Sequence, residues 1–385
     1  MKKVLYVTTV SRTINAFLIP HINMLLEMGY EVHCACSIDK PIDEGIINKG
    51  IRIFEVPFSR NPLGLRNINA FMKLDELQRI NDYDIVHVHT PIAAIYGRLL
   101  KLRYPNLKTI YTAHGYHFLR GGSKLGWILY YPIEKLMSKI TDVIININTE
   151  DYNITKNKLK PKKCYLLNGV GLDLGKYKKL NNEEIKEKKK ELGLNDNDFI
   201  VLMIAELNKN KNHIQVINAI GSLKKSYSNI KLICIGDGNM MQSLKKEIIS
   251  KDLQNNIFML GYREDVNELI NISDIGILMS YREGLPRNIM EFMACGRKVI
   301  ATNIRGCRDL VCNENVGILV KVGDFDTTAK AIEKYYLLKD KTFRIPDEII
   351  KYDIKSVNKE LLKIYEEIEL GINSERGISS YVSSR

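Results

Sequence analysis

The chain has 385 residues, a mass of 44.2 kDa and a formal net charge of +12. Its 45% apolar and 26% charged residues are typical of a folded protein, which excludes a mainly disordered chain, and the length favours two domains. The seven cysteines are scattered without a Cys-x-x-Cys pair, which argues against a disulfide framework and a zinc site.

The N-terminal segment reads MKKVLYVTTVSR, and its apolar run is short and interrupted by polar residues. This pattern lacks the apolar core of a secretory signal peptide, and no stretch reaches the roughly 18 to 20 apolar residues of a membrane-spanning helix. We therefore expect a cytoplasmic protein, whose peripheral attachment, if any, is to the inner face of the cell membrane.

Short apolar runs alternate with helix-length amphipathic segments, and this series occurs twice. The runs that predict strands are 4–10, 31–36, 51–56, 84–89, 109–114, 143–148 and 164–167 in the first half, then 199–205, 230–235, 257–260, 275–279, 299–301 and 317–320. They are continuously apolar, as parallel strands buried on both faces are. Alternation of strand and helix predicts an α/β fold with two Rossmann-like, doubly wound parallel-sheet domains that face a cleft.

The lysine-rich segment 176–191 is interpreted as a linker and helix between the two series. We therefore place an N-terminal domain at 1–178 and a C-terminal domain at 179–360. A last helix, at about 360–385, can pack back on the N-terminal domain.

Positive charge is concentrated in the first half. Residues 1–180 carry 26 Lys and Arg against 15 Asp and Glu, whereas residues 181–385 carry 31 against 30. This asymmetry predicts that the first half meets an anionic partner: nucleic acid, a membrane surface or a phosphorylated substrate. No nucleic-acid-binding motif accompanies the charge, so we expect no nucleic acid.

One segment of the first half, 119–139, suits an anionic membrane surface. Its basic and aromatic residues, with the preceding phenylalanine, are Arg120, Lys124, Lys135, Lys139, Phe118, Trp127, Tyr130 and Tyr131. Aromatic and basic residues on one amphipathic helix favour docking at the lipid headgroups. The alternative is an ordinary amphipathic helix whose aromatic residues belong to the core.

In open parallel sheets, ligands sit at the carboxyl ends of the strands. The first such turn lacks Gly-x-Gly-x-x-Gly, which argues against a dinucleotide. Ser11, Arg12 and Asn15 in this turn can contact a substrate or form a polar capped turn.

Histidines follow two later strands of the first half. His87 and His89 lie on one side of their strand, where they can pack, line a cleft or begin a metal site that would need further ligands. His114 ends the next strand, before a glycine, and is therefore expected to donate to a sugar hydroxyl or phosphate oxygen. His117 serves either the same site or a structural contact.

The second half opens with a lysine-bearing turn. Lys209 and Lys211 precede a helix N-terminus, where cations and free amides together suit a pyrophosphate, the alternative being a solvated loop. Gly236 belongs to a Gly-x-Gly turn after the following strand, which is a weak indication of binding. Asp173, in the connection between the halves, either lines the cleft or satisfies its own turn.

The most specific motif is E-G-L-P-R-N-I-M-E, which begins at Glu283 and ends at Glu291. Glu283 is expected to precede a helix whose first amides, over 285–288, point towards a phosphate or sugar hydroxyl. Glu291, in the first turns of that helix, can accept hydrogen bonds from a ribose diol. Capping is the alternative role for Glu291. Two D-x-D strings, at 196–198 and 324–326, are interpreted as turns and caps rather than metal ligands.

With these motifs the chain resembles the retaining glycosyltransferases of the GT-B fold, family 4, over nearly its whole length. The resemblance rests on the glutamate motif 283–291, on 294–296 and 299–302 behind it, on the segments 111–118 and 168–173, and on the loop around Lys211. The segments 111–118 and 169–173 are also similar to the branch that makes bacterial capsule and exopolysaccharide repeat units.

The resemblance implies a nucleotide diphosphate sugar donor, most often UDP-linked, in the second domain. Donor-binding residues would be Glu291 at the ribose, Lys211 at the diphosphate, and Lys209, Leu285, Pro286, Arg287, Asn288 and Gly236 around them. Glu283 and His114 would act at the transferred sugar. The acceptor would be a glycan or a polyprenyl diphosphate-linked sugar, near Ser11, Arg12, Asn15, His117 and Asp173. No metal, cofactor or protein nucleophile is implied.

Two positions depart from the family pattern. The first turn lacks the frequent Gly-Gly-x-Gly, and Glu206 stands where many members have an arginine that pairs with the lysine on the diphosphate. Two other functions fit the same fold: a UDP-sugar 2-epimerase, and a non-catalytic two-lobed protein that binds a sugar or nucleotide.

Overall fold

The computed structural model describes residues 2–59, 61, 64–119, 122, 124–338 and 344–382, with side chains up to residue 371. The chain divides into a first unit, Met1–Gly171 with Ile354–Arg385, and a second unit, Leu172–Asp353. The borders placed at 178 and 360 from the sequence therefore need correction. Leu172 forms a β-bridge with Asp353, and its amide donates to the Tyr352 carbonyl at 2.8 Å. These contacts join the first and last residues of the second unit.

The described residues of the first unit form a seven-stranded parallel sheet. Its strands are β1 (Lys3–Val10), β2 (Glu31–Ser37), β3 (Arg52–Glu55), β4 (Ile85–His89), β5 (Lys108–Ala113), β6 (Val143–Asn146) and β7 (Lys163–Leu166). Their order is β3-β2-β1-β4-β5-β6-β7, which reverses direction between β1 and β4. Doubly wound sheets place their ligands at such a reversal.

Helices connect these strands. They are α1 (Ser11–Thr13), which continues through a π-helical turn (Ile14–Leu18) into α2 (Ile19–Glu27), then α3 (Glu44–Ile47), α4 (Arg66–Asn81), α5 (Pro91–Arg103), α6 (Lys124–Ser138) and α7 (Thr149–Lys158). Apolar clusters pack on both faces of the sheet, which explains why its strands are continuously apolar.

The described residues of the second unit form a six-stranded parallel sheet with the same kind of reversal. Its helices are α8 (Asn182–Glu191), α9 (His213–Leu223), α10 (Met241–Ser250), α11 (Val266–Ile272), α12 (Arg287–Ala294), α13 (Cys307–Leu310) and α14 (Phe325–Leu338), with 3-10 turns at Leu174–Lys176, Lys209–Lys211 and Asp347–Tyr352. Its strands are β8 (Phe199–Ile204), β9 (Ile230–Ile235), β10 (Ile257–Gly261), β11 (Ile275–Leu278), β12 (Lys298–Thr302) and β13 (Gly317–Val320). The order β10-β9-β8-β11-β12-β13 makes β8 and β11 neighbours.

The last helix, α15 (Ile354–Val382), belongs to the first unit. Its buried side chains Val357, Leu361, Ile364, Tyr365 and Ile368 recur at helical spacing and join the core beneath α2. Among the helices of the described residues, none is long and apolar enough to span a membrane.

Candidate active site

In the second unit, the loops that follow the neighbouring strands β8 and β11 are tied together. The main-chain carbonyl of Asn210 accepts a hydrogen bond from the Tyr281 amide at 2.8 Å, and the side-chain amide of Asn210 donates to the Arg282 carbonyl at 2.9 Å. Asn208 accepts from the Lys211 amide at 3.2 Å and so closes the 3-10 turn that carries the lysine. The reversal of strand order therefore brings the two loops with the strongest sequence motifs together.

Lys211 and Glu283 form an ion pair across these loops. Lys211 Nζ donates to Glu283 Oε1 at 2.5 Å, and Ser280 Oγ donates to the same oxygen at 2.6 Å. Both charged side chains are largely buried, which strengthens their attraction. The lysine ammonium has three protons to donate and can therefore hold a diphosphate oxygen while it keeps Glu283.

The segment after β12 supports Glu283 from behind. Arg305 Nε donates to the Glu283 carbonyl oxygen at 2.9 Å, and Thr302 Oγ1 donates to the Ser280 carbonyl at 2.7 Å. Gly306 has φ of 75°, and a Cβ there would lie 2.1 Å from the Gly284 carbonyl oxygen. Sequence reasoning missed Ser280, Arg305 and Gly306, for which the one available signal was a glycine shortly after a strand.

Glu291 on α12 is hydrogen-bonded by Tyr177 and lies near Arg287. Burial raises the pKa of Glu291, an effect that Arg287 and the Tyr177 hydrogen bond partly oppose. Burial, and then the Glu291 charge, raise the pKa of Tyr177. Sequence reasoning missed Tyr177, which lies on the linker and carries no motif.

The first turn of α12 differs from the row of amides expected over 285–288. Pro286 is its N-cap and has no N–H, so the segment has a gap in its donors. The Asn288 side chain donates to the Ile204 carbonyl at 2.7 Å and accepts from the next amide, which anchors α12 to β8. Leu285 packs against the core.

The remaining predicted donor-binding residues, Lys209 and Gly236, lie in the loops that follow β8 and β9. Lys209 and Glu206 are exposed on the loop after β8. Gly236 directly follows β9 and has φ of 130°, and a Cβ there would lie 2.1 Å from the Ala205 carbonyl oxygen. This close approach requires a glycine whether or not a ligand binds.

In the first unit, the buried His87 and His89 of β4 lie close to His114, which directly follows β5. A ring nitrogen of His89 lies 3.0 Å from His114 Nε2. His87 is hydrogen-bonded by Tyr365 at 2.7 Å and by Thr112 at 2.8 Å, which occupies both of its ring nitrogens. In the part of the chain that the structure describes, no group of three or more His, Cys, Asp or Glu side chains is placed to hold a metal ion.

His114 is neutral at pH 7. Burial, and to a smaller extent nearby His21, lower the pKa of His114 to about 4. A neutral imidazole has one donor and one acceptor nitrogen, and the contact with His89 fixes which nitrogen is left for another partner.

The first turn contacts its own neighbouring loop. Ser11 Oγ donates to the Lys40 carbonyl at 2.7 Å, Arg12 pairs with Asp39, and the Asn15 side chain donates to the Pro41 carbonyl at 2.8 Å. Burial opposes ionisation of Asp39, but the hydrogen bonds from Arg12 and Ser11 outweigh it and lower the pKa of that carboxyl group. These three predicted acceptor residues thus position the loop after β2.

The last two predicted acceptor residues have structural partners. The His117 ring contacts the ring of Tyr130 on α6 in a tilted arrangement, with ring centroids 4.7 Å apart. Asp173 lies in the second unit, where it caps a 3-10 turn by accepting from the Gly175 amide at 3.1 Å. Arg120, which the sequence placed beside the membrane-docking segment, lies outside the described residues.

Family models match both units. "Glycosyl transferase 4-like" matches residues 3–148, and "Glycosyl transferases group 1" matches residues 184–355. The "Putative glycosyltransferase EpsD" of Bacillus subtilis (strain 168) is 33% identical over 341 residues, which are 87% of each chain. The chain belongs to this glycosyltransferase family.

Two further relatives bear on this glycosyltransferase. The "UDP-Gal:alpha-D-GlcNAc-diphosphoundecaprenol alpha-1,3-galactosyltransferase" of Escherichia coli is 28% identical over 310 residues, which are 79% of each chain. The structure of Anabaena Alr3699/HepE in complex with UDP-glucose matches with a TM-score of 0.79 and 18% identity, over 95% of this chain and 100% of that one.

These comparisons confirm the α/β GT-B fold and the resemblance to bacterial capsule and exopolysaccharide glycosyltransferases. The glycosyltransferase acts in polysaccharide or glycan biosynthesis. It is an enzyme of the transferase class, and the epimerase and non-catalytic alternatives are set aside.

Proposed function

We propose that this glycosyltransferase moves a sugar from a UDP-sugar to a polyprenyl diphosphate-linked sugar or glycan, with retention of configuration. The single observation that carries the proposal is the ion pair between Lys211 and Glu283 at the strand reversal of the second sheet. It lies where α/β sheets bind nucleotides. The names of the E. coli relative and of the HepE complex support a UDP-linked donor, and the E. coli name supports a lipid-linked acceptor.

The diphosphate is assigned to Lys211, aided by Arg287 and the exposed Lys209. Cationic side chains and a helix N-terminus can together neutralise a diphosphate, so the reaction is proposed to need no metal. Charge develops on the leaving diphosphate as the bond to the sugar breaks, and a lysine already held by Glu283 requires little reorganisation to stabilise it.

The ribose is assigned to Glu291. The Tyr177 hydroxyl donates to this carboxylate. Two ribose hydroxyls can take over that hydrogen bond and add a second, so Tyr177 keeps the partly buried carboxylate hydrogen-bonded until the donor arrives.

In the second unit, Glu283 is proposed to act at the transferred sugar, and in the first unit His114 is proposed as a group that binds a sugar hydroxyl. Because His114 is neutral, it can donate one hydrogen bond to a sugar hydroxyl without adding charge. No protein nucleophile is proposed: the acceptor hydroxyl attacks from the face that the diphosphate leaves, and its proton passes to the departing diphosphate oxygen. The reaction is placed at the membrane that holds the lipid-linked acceptor.

A transfer assay tests this proposal. Purified protein is incubated in EDTA with UDP-glucose, UDP-galactose or UDP-N-acetylglucosamine and a short-chain polyprenyl diphosphate sugar, and the product is identified by mass spectrometry and NMR. We expect an α-linked product from one α-configured donor. Lys211→Met should slow transfer at least tenfold. The control Lys224→Met removes another ion-paired lysine, one that binds Asp252 at the surface, and should leave transfer unchanged.

Absence of product with all three donors and the polyprenyl diphosphate sugar would contradict the proposed reaction. A product that forms only when a divalent cation replaces EDTA would contradict the metal-free mechanism, and a β-linked product would contradict retention.

A further inference from the structure

Helix α6 exposes its aliphatic side chains and buries its acidic one. The α6 face consists of Leu125, Ile128, Leu129, Ile133 and Leu136, with exposed fractions between 38% and 65%. These residues recur at spacings of three and four and therefore form one stripe along the helix. The carboxylate of Glu134 points the other way and is 6% exposed. A helix that faces only water has the opposite distribution.

Buried contacts fix this orientation. Glu134 forms a two-pronged ion pair with Arg98 of α5, with nitrogen-oxygen distances of 3.0 and 3.1 Å. On the same side, Gly126 lets the helix approach the first-unit main chain, since a Cβ there would lie 2.3 Å from the His117 carbonyl oxygen. The helix cannot rotate its aliphatic stripe inward without breaking a buried ion pair, which is strongly unfavourable.

The aromatic residues of α6 are on the inner side. Trp127 lies 5.3 Å from Phe118 and 5.4 Å from Tyr131 between ring centroids, and its indole nitrogen donates to the Leu119 carbonyl at 3.0 Å. The sequence-based expectation that aromatic residues would form the docking surface is therefore wrong in detail. The aliphatic residues are the ones left outside.

The exposed charges that the described part of the α6 segment itself carries, over 124–139, are positive. Lys124, Lys135 and Lys139 are exposed, whereas Glu134 is the one acidic residue between 122 and 139 and is neutralised by Arg98. The surface thus offers aliphatic side chains and ammonium groups together. Lipid headgroups that carry phosphate, above the upper acyl chain, match both features.

We propose that the α6 face docks this glycosyltransferase on an anionic bilayer, with its leucines and isoleucines inserted at the headgroup boundary and the three lysines among lipid phosphates. The 15-residue helix, about 22 Å long, lies in the membrane plane rather than crossing it. Self-association through this face is disfavoured because it would bring the lysines of two copies together. The inference rests on the proposed function in that a lipid-linked acceptor resides in this bilayer.

Vesicle flotation tests the inference on the full chain. The double variant Ile128→Asp/Leu129→Asp replaces two exposed residues of the α6 face, and Ile249→Asp is the control because Ile249 is a comparably exposed isoleucine, 61% against 65%, on α10 of the second unit. Vesicles contain phosphatidylcholine alone or with one third phosphatidylglycerol, at low and high salt. All variants are checked for melting temperature, UDP binding and oligomeric state.

Wild type and Ile249→Asp should float with the anionic vesicles, and binding should weaken at high salt. The double variant should bind roughly 100-fold more weakly, because each inserted aliphatic residue contributes a transfer free energy equivalent to about tenfold. Lys135→Gln/Lys139→Gln should lose affinity roughly 25-fold, at about fivefold for each lysine near the surface.

Three outcomes would overturn the inference: no flotation of wild type, equal flotation of the double variant, or a dimer in solution that the double variant abolishes without any vesicle binding. UDP binding separates this failure from failure of the proposed function. A double variant that binds UDP like wild type but leaves the vesicles supports docking, whereas wild type that floats without binding UDP leaves docking intact and contradicts the UDP-sugar donor.

Discussion

Replacing Glu134 by leucine is expected to lower the free energy of unfolding by about 3–5 kcal/mol, because it leaves a buried guanidinium without a counter-ion. Arg98 has no exposed surface, and both of its terminal nitrogens bind Glu134. What remains is Nε, which donates to the Ala94 carbonyl at 2.8 Å, and the Tyr111 ring, whose centroid is 4.4 Å from the guanidinium carbon. Neither partner carries a full negative charge.

The companion variant Arg98→Met/Glu134→Leu removes both charges. Apolar side chains of similar volume often replace a buried ion pair at little cost, so the double variant should lie within about 2 kcal/mol of wild type. Together with the single variant Arg98→Met, the difference in free energy of unfolding between the double variant and the sum of the two single variants measures the coupling between α5 and α6.

Urea denaturation followed by tryptophan fluorescence measures these changes, and the signal is local. Trp127 is the one tryptophan in the sequence and lies on α6, close to the ion pair in the chain. Two results would refute the claim that the ion pair holds α6 in its orientation. One is a free energy of unfolding of Glu134→Leu within 1 kcal/mol of wild type, and the other is a double variant that is as unstable as Glu134→Leu.

Gly306→Ala should lower the free energy of unfolding by about 2 kcal/mol more than Gly323→Ala does. Both glycines have a similar positive φ, but only at Gly306 would the added methyl group meet a main-chain oxygen. Equal melting temperatures of the two variants would contradict this. Lowering the pH from 7 to 5 should destabilise the protein, because burial lowers the pKa of His21 from 6.5 to about 4 and the unfolded chain then binds a proton that the folded chain does not. One such group contributes roughly 2 kcal/mol at pH 5, and His21→Gln should reduce the proton uptake on unfolding by one; an unchanged pH slope would contradict the assignment. Glu291→Ala should weaken UDP binding by about 1.5–3 kcal/mol, whereas Tyr177→Phe should not weaken it, which calorimetry can compare; the reverse ranking would refute the ribose assignment.

Sequence patterns predicted the fold closely. Each of the thirteen strands in the described residues falls within two residues of a predicted run, because strands buried on both faces leave an uninterrupted apolar signal. The family motifs also brought the loops of Lys211 and Glu283 into one site, although these residues are 72 positions apart.

The sequence could not predict the partners that tertiary packing supplies. Arg305 acts on Glu283 only because β11 and β12 are neighbours in the sheet, and strand order is not encoded in periodicity. The orientation of α6 depends on Arg98, which lies 36 residues before Glu134 on another helix. An amphipathic pattern marks a helix with two faces but does not decide which one is buried.

Calorimetric titration with UDP in EDTA tests the central claim most directly, on wild type beside Lys211→Met and Lys224→Met. The account predicts metal-free binding by wild type and by Lys224→Met, and at least tenfold weaker binding by Lys211→Met, which corresponds to about 1.4 kcal/mol. Failure of wild type to bind UDP, or equal affinity in all three proteins, would contradict a nucleotide site built on the Lys211–Glu283 pair.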